Sequence, residues 1–255
     1  MLNRSLKLSK RMYHANASDF LKPTTLGSLV YGKDSMQYKV LSHAMDVSVP
    51  IYGFNERAIV HSLNVLKLPS SMLSVISSSN PPSFLHSSPA LMELIKFHLV
   101  DKRYKTVAGI DPEAADEELP SLESLLLKRL KLNAPIASRL SQVLSQLAIP
   151  GPFLLNNALP ELHRLSDDLL YFSNEKDHTD FAWYSKRLAI SCTYVSSELF
   201  MSQDKSADFS QTFEFAQEKL HRVMKLGEYY NNTEEFTWYT MLSAVNLAKS
   251  QLARG

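Results

Sequence analysis

From Gln37 onward the apolar positions recur with helical period, and that period predicts one helix after another. Val40, Leu41, Ala44 and Val47 form the first stripe, which Pro50 and Gly53 close. Asn55 is placed to cap a second helix through Leu66, ended by Pro69, and Ser70 a short third one through Ser77. Short helices around a tight middle turn make a helix-turn-helix unit over residues 31–80. A Ser/Pro-rich link, Ser77 to Pro89, leads to a helix over Leu91–Tyr104. The stretch 109–120 holds Asp111, Glu113, Asp116, Glu117 and Glu118 beside Pro112 and Pro120 and reads as an exposed acidic loop. Apolar stripes then mark Leu122–Leu132, Ala134–Leu147, Leu159–Phe172, Asp180–Met201 and Asp208–Leu226, a bundle within 87–227. Nowhere does a run alternate in strand fashion beside hairpin chemistry, so the expected class is all-α.

Two stretches stand apart from this pattern. Asp180-Phe181-Ala182-Trp183-Tyr184 opens the longest helix with adjacent large rings that cannot share one face, and Arg187 follows one turn on. Half-buried packing and an exposed contact patch are both open there. After Gly227, a polar stretch leads to Thr233, which is placed to cap a helix through about Leu252. Trp238, Met241, Leu242, Val245, Ala248 and Leu252 fall on one face of it, Thr240, Ser243, Ser250 and Arg254 opposite, with Lys249 at the edge. Segment 233–255 is therefore amphipathic, fit either for a membrane surface or for packing on the body.

Composition narrows the choice. Seven glycines in 255 residues disfavour glycine-demanding folds, and 45% hydrophobic residues suit a real core. No apolar run reaches the roughly 18 residues of a membrane span, so the expectation is a soluble or membrane-surface protein. Cys192 is the single cysteine, which excludes an internal disulfide and a multi-cysteine metal cage. Residues 1–18 carry Arg4, Lys7, Lys10 and Arg11 without an acid, interleaved with leucines, the composition of a mitochondrial targeting segment. Arg11-Met12-Tyr13 resembles a matrix-protease signal, with a mature start near His14. Since the net charge is +1, the remainder carries −3 and has no global attraction for nucleic acid. The candidate recognition helix Ser71–Ser77 holds no Arg, Lys, Asn or Gln to read base edges.

Catalytic motifs fail one by one. Gly27-Ser28-Leu29-Val30-Tyr31-Gly32-Lys33 begins like a phosphate loop, but Asp34 stands where a hydroxyl is needed. Glu218 and His221 have di-iron spacing without the second pair and the further carboxylates. Ser202 and Lys205 lack companion motifs, no nucleophile elbow exists, and Cys192 has no neighbouring histidine in sequence. No catalytic residue, no metal site and no cofactor is expected.

Leu162-His163-Arg164-Leu165-Ser166-Asp167-Asp168, then Asp180 to Arg187, then Ser197-Glu198-Leu199-Phe200-Met201-Ser202-Gln203-Asp204, resemble the mitochondrial coenzyme Q (ubiquinone) biosynthesis accessory family. The likeness runs from about Tyr31 to the C-terminus, with Leu119 to Gly227 as its specific part. It implies a TetR-like fold that has abandoned DNA and uses its bundle cavity for lipid, including isoprenoid quinone precursors. It implies no catalysis by the chain itself. Its partners would be the di-iron demethoxyubiquinone hydroxylase and the wider coenzyme Q biosynthetic complex, on the matrix face of the inner membrane. A homodimer or hetero-oligomer is expected. By motif match the partner-binding residues are Asp167, Leu169, Asp180, Trp183, Tyr184 and Arg187, as an exposed patch. Leu188, Tyr194, Leu199 and Met201 are lipid-binding candidates from their position on the long helix. Trp238, Met241, Leu242, Val245 and Leu252 would bind the membrane. The acidic stretch and the Ser/Pro link resemble the fungal branch alone, and Leu169 replaces a methionine of the animal branch at similar volume. The alternative, a ligand-responsive TetR-type transcription regulator, demands a basic recognition helix.

Overall fold

Side-chain oxygens set the helix starts. Ser35, Asn55, Ser88 and Ser121 accept from the backbone N–H three residues on, at Tyr38, Ala58, Leu91 and Ser124. The structure is a computed structural model that describes residues 28–82, 88–112, 114–115, 117–175 and 182–225, with backbone alone for Ala182 and Trp183. Helix α1 joins Met36–His43, a π turn Ala44–Ser48 and Val49–Tyr52. Then come α2, Glu56–Val65, α3, Met72–Ser77, and the 19-residue α4, Pro89–Val107. Helix α5 is Leu122–Lys131; α6 is a 3-10 turn Ala134–Arg139 continued by Leu140–Leu147. Helix α7 is a π turn Leu154–Ala158 continued by Leu159–Tyr171, α8 is Ala182–Met201, and α9 spans residues 210–225. Among the described residues the protein is all-helical, a helix-turn-helix unit followed by a bundle in the TetR-like order.

Three expectations shift. Val47, placed on the first apolar stripe by its spacing, is exposed, while Ser48 and Val49 point inward. The π turn inserts an extra residue per turn and rotates the face. Pro50 does not end α1, because the wider π turn just before it lets its ring sit within Val49–Tyr52; Gly53, at φ +76°, is what ends it. The last described helix begins at 210 rather than Asp208, because Asp208 and Phe209 take left-handed φ values of 52° and 57°.

Helix α4 is the axis of the molecule. It packs on α2, α3, α5 and α7, and it is buried on nearly every side. Its first half joins α1, α2, α6, Phe153 and Met201 in one apolar cluster. Its end, at Val107, joins α5, α7, α8 and α9 in a second, around Leu126, Leu130, Leu169 and Ile190. Truncating Leu126 or Leu130 to Ala would cost roughly 2–5 kcal/mol each. The helix-turn-helix unit is fastened to the bundle at the α1–α2 turn, where Phe54 N–H donates to Gln142 Oε1 at 2.8 Å and Arg139 to the Ile51 carbonyl at 3.2 Å. Within 109–120 the described acidic positions Asp111, Glu117 and Glu118 are exposed, and Leu119 buries the end of the loop.

Candidate functional site

Helices α7 and α8 carry the signature residues, and the first question is which of them face solvent. Arg187 Nε donates to Asp167 Oδ1 at 2.7 Å, and both side chains are almost fully buried, at 2% and 1% exposure. Leu169 is completely buried in the second cluster. The expected exposed patch therefore does not hold for Asp167, Leu169 and Arg187. A charged pair inside the α7–α8 seam satisfies itself instead of facing water. Tyr184, 71% exposed, does face solvent. Asp180 and the Trp183 side chain lie outside the described residues, as do Trp238, Met241, Leu242, Val245 and Leu252.

The lipid candidates divide in the same way. Leu188 and Leu199 are 66% and 52% exposed, so they do not line the bundle interior as expected; their register puts them on the outer row of α8. Tyr194 lies in the second cluster and Met201 in the first. The outer row is Tyr184, Leu188, Cys192, Val195 and Leu199, at successive spacings of four and three residues. None of the five is charged. The clamp Arg187–Asp167, with Lys186–Glu175 at 3.0 Å beside it, fixes the rotation of α8 that turns this row outward.

Two buried polar groups were not foreseen as networks, although Asp168 and Glu198 stand in the signature and Tyr194 is a lipid candidate. Arg103 reaches Glu161 at 3.1 Å and Asp168 at 2.6 Å; Glu161 also accepts from Ser28 and Arg164. Asp167 and Asp168, adjacent in sequence, thus staple α7 to α8 and to α4. In the second group, Asn133 accepts from Arg129 at 2.8 Å and donates to Glu198 at 2.8 Å, and the Tyr194 hydroxyl donates to Glu198 at 2.9 Å. Burial pushes the Glu198 carboxyl up from its ordinary value, against the Arg129 charge and the hydrogen bonds of Tyr194 and Asn133. The available signal was acids and bases standing on apolar stripes, as in Glu161, Leu165, Asp168, Phe172 along α7.

The rejected motifs are tied into the fold. Ser28 and Tyr31 of the phosphate-loop look-alike bond Glu161 and Glu93. Glu218 pairs with Arg222 on an exposed face of α9. Beside α3, a groove of ≈ 700 Å³ is lined by Leu73, serines, Asn80 and prolines, with no cation to meet a phosphate.

Comparison with known proteins agrees with the signature. The COQ9 family profile matches residues 155–227. The chain is similar to the mitochondrial ubiquinone biosynthesis protein COQ9 of Saccharomyces cerevisiae, 62% identical over 246 residues, 96% of this chain and 95% of the relative. It is 49% identical to the Eremothecium gossypii protein of that name, over 98% of this chain and 99% of the relative. The Homo sapiens protein is 24% identical over 76% of this chain and 59% of its own. On near full-length identity of this order, the chain belongs to the COQ9 family of ubiquinone biosynthesis proteins, whose named relatives are mitochondrial.

Proposed function

We propose that the chain is a non-catalytic, lipid-binding accessory protein of ubiquinone biosynthesis. It binds isoprenoid quinone intermediates and presents them to the di-iron demethoxyubiquinone hydroxylase on the matrix face of the mitochondrial inner membrane. The supporting observation is the uncharged row Tyr184, Leu188, Cys192, Val195 and Leu199, held outward on α8 by the buried Arg187–Asp167 pair. Exposed aromatic and aliphatic groups on a rigid helix are suited to protein contact. In this reading Tyr184 and Leu188 touch the hydroxylase, while Asp167, Leu169 and Arg187 position them; Asp180 and Trp183 extend the patch. Terminal segment 233–255 rests on the bilayer through Trp238, Met241, Leu242, Val245 and Leu252.

The test is to purify the full chain from its host and identify bound lipid by mass spectrometry, expecting isoprenoid quinone species. Recovery of bulk phospholipid alone, with quinone synthesis intact on deletion, would overturn the lipid reading. Tyr184→Lys and Leu188→Lys should each abolish capture of the hydroxylase while leaving helical circular dichroism and Tm unchanged. Retained capture would remove the row from the interface.

A further inference from the structure

Arg103, Arg129 and Arg187 are the fully buried arginines among the described residues. Arg103 and Arg187 each bond carboxylates at 2.6–3.1 Å. Arg129, 1% exposed, forms no ion pair with any described residue. Its Nη1 donates to the neutral Asn133 amide, its Nε has no acceptor, and its guanidinium lies 5.1 Å from the Tyr194 ring centroid. Glu198, the acid of this group, is held by Asn133 and Tyr194 instead. Glu198 feels the Arg129 charge but lies beyond ion-pair distance, so the guanidinium keeps unspent donors where this fold's other two buried arginines bond carboxylates directly.

The neighbourhood adds donors, and its nearby acid Asp101 is already bonded to Lys105 and Tyr38. His98 of α4 is fully buried, and neither ring nitrogen has a partner; Phe54 covers it edge-on with centroids 5.7 Å apart. Lys102 lies one turn further along the same side of α4 and forms no ion pair with a described residue, because Asp101 is taken by Lys105 at 2.7 Å and by Tyr38. Burial and then the charges of Arg129, Lys102 and Lys105 hold the His98 imidazole well below its ordinary pKa, so it stays neutral. Burial, Lys105 and Arg129 likewise pull Lys102 down, against Asp101 and Asp46. Aromatic rings flank the group, Phe54 beside His98 and Tyr194 beside Arg129. Donors in a positive field, flanked by hydrocarbon, suit an amphiphile whose polar end carries acceptor oxygens.

We propose that Arg129, with His98 and Lys102, holds the ring oxygens of an aromatic head group, carbonyl or phenolate, at the end of an isoprenoid tail. This rests on the lipid-binding reading above and adds which end of the lipid is held and by which side chains. The guanidinium and the ammonium donate to the oxygens. The imidazole donates to a carbonyl through one nitrogen and accepts from a ring hydroxyl through the other.

The test measures binding of the full chain to two probes in the same detergent. One is a short-tailed ubiquinone, the other an isoprenoid hydrocarbon of equal tail length without ring oxygens. In Arg129→Met, affinity for the ubiquinone should fall by about ten-fold or more, the size of a lost charged hydrogen bond, with hydrocarbon binding unchanged. Circular dichroism of the lipid-free variant checks that it folds, since methionine removes the donor to Asn133 and the charge that acts on Glu198. If Arg129→Met does not fold, His98→Phe and Lys102→Met are judged by the same ratio. Wild-type affinity for ubiquinone in the folded variants overturns the inference and leaves lipid binding standing, with water as the occupant of the group. Equal loss of both probes also overturns it, as a general packing effect. A wild-type chain that binds neither probe overturns the lipid reading and this inference together.

Discussion

At the scale of single residues, the buried arginines separate structural clamps from a group with unspent hydrogen-bonding capacity. Arg103→Met removes the buried guanidinium that bonds Asp168 and Glu161 across the α4–α7 interface, while Glu161 keeps Arg164 and Ser28, so a loss of about 3 kcal/mol is expected. Urea unfolding measures it, and a loss near zero would mean that the two acids regain water. Glu198 supplies the pH-dependent case. Its folded pKa lies above the unfolded value of about 4.3, so the folded state takes up the proton first and this group's stability contribution is lost as pH rises through the folded pKa. Wild-type stability relative to Glu198→Gln should therefore increase as pH falls from neutrality towards the unfolded value. A flat difference would show that the carboxyl keeps its ordinary pKa. None of these charges looked buried in sequence, since Arg, Glu and Asp default to the surface and their burial depends on partners far along the chain.

At the scale of elements, turns and the Asn55 cap were readable and helix rotations were not. Asn55 caps α2 as its spacing predicts, whereas Ser70 does not cap α3, which starts at Met72 after Ser71 with no side-chain cap bond; Ser35, Ser88 and Ser121 are caps that the apolar period did not single out. The π turns in α1 and α7 leave no local mark, and one of them reversed the orientation expected of Val47. Gly53→Ala joins two faults: a left-handed φ of 76° and a Cβ that would come within 2.6 Å of Gln142 Oε1. It should destabilise by about 1 kcal/mol or more, and Gln142→Ala in the same chain should recover part of that loss. A null effect in thermal melts would show that the α1–α2 turn relaxes freely. Between α8 and α9, burial acts to raise the Asp204 carboxyl, but hydrogen bonds from Thr212 and Ser206 outweigh it and hold it down at about 2. Asp204→Ala removes that cap at a cost of about 0.5–2 kcal/mol by chemical denaturation.

At the scale of the molecule, α4 belongs to both apolar clusters, so the helix-turn-helix unit and the bundle are one packed body. Helix α4, buried on nearly every side, ties Glu93, Asp101 and Arg103 into hydrogen bonds with neighbouring elements, whereas both ring nitrogens of His98 stay without one. The outer row of α8 is the contrasting surface. Cys192, exposed in its middle, should react with a maleimide in the isolated chain and be protected in the hydroxylase complex. Equal labelling in both would place the contact elsewhere. No described helix is long and apolar enough to cross a membrane. If segment 233–255 is the anchor, truncation after Asn232 should abolish flotation with anionic vesicles, whereas undiminished flotation would move membrane binding to the body.

Sequence alone settled the described helices, the Asn55 cap, the helix-turn-helix order and the family likeness, because amphipathic period and capping depend on residues within a turn or two of one another. It also named Asp167, Tyr184 and Arg187 through that likeness. Tertiary structure alone decided that Asp167 and Arg187 lock together across 20 residues and that Asp168 reaches Arg103 across 65. It likewise decided that Leu188 and Leu199 turn outward and that Arg129 meets the Asn133 amide rather than a carboxylate among the described residues. The reason is physical: a charge is buried or exposed according to whether a distant helix brings its counter-charge, and helical period carries no information about that meeting.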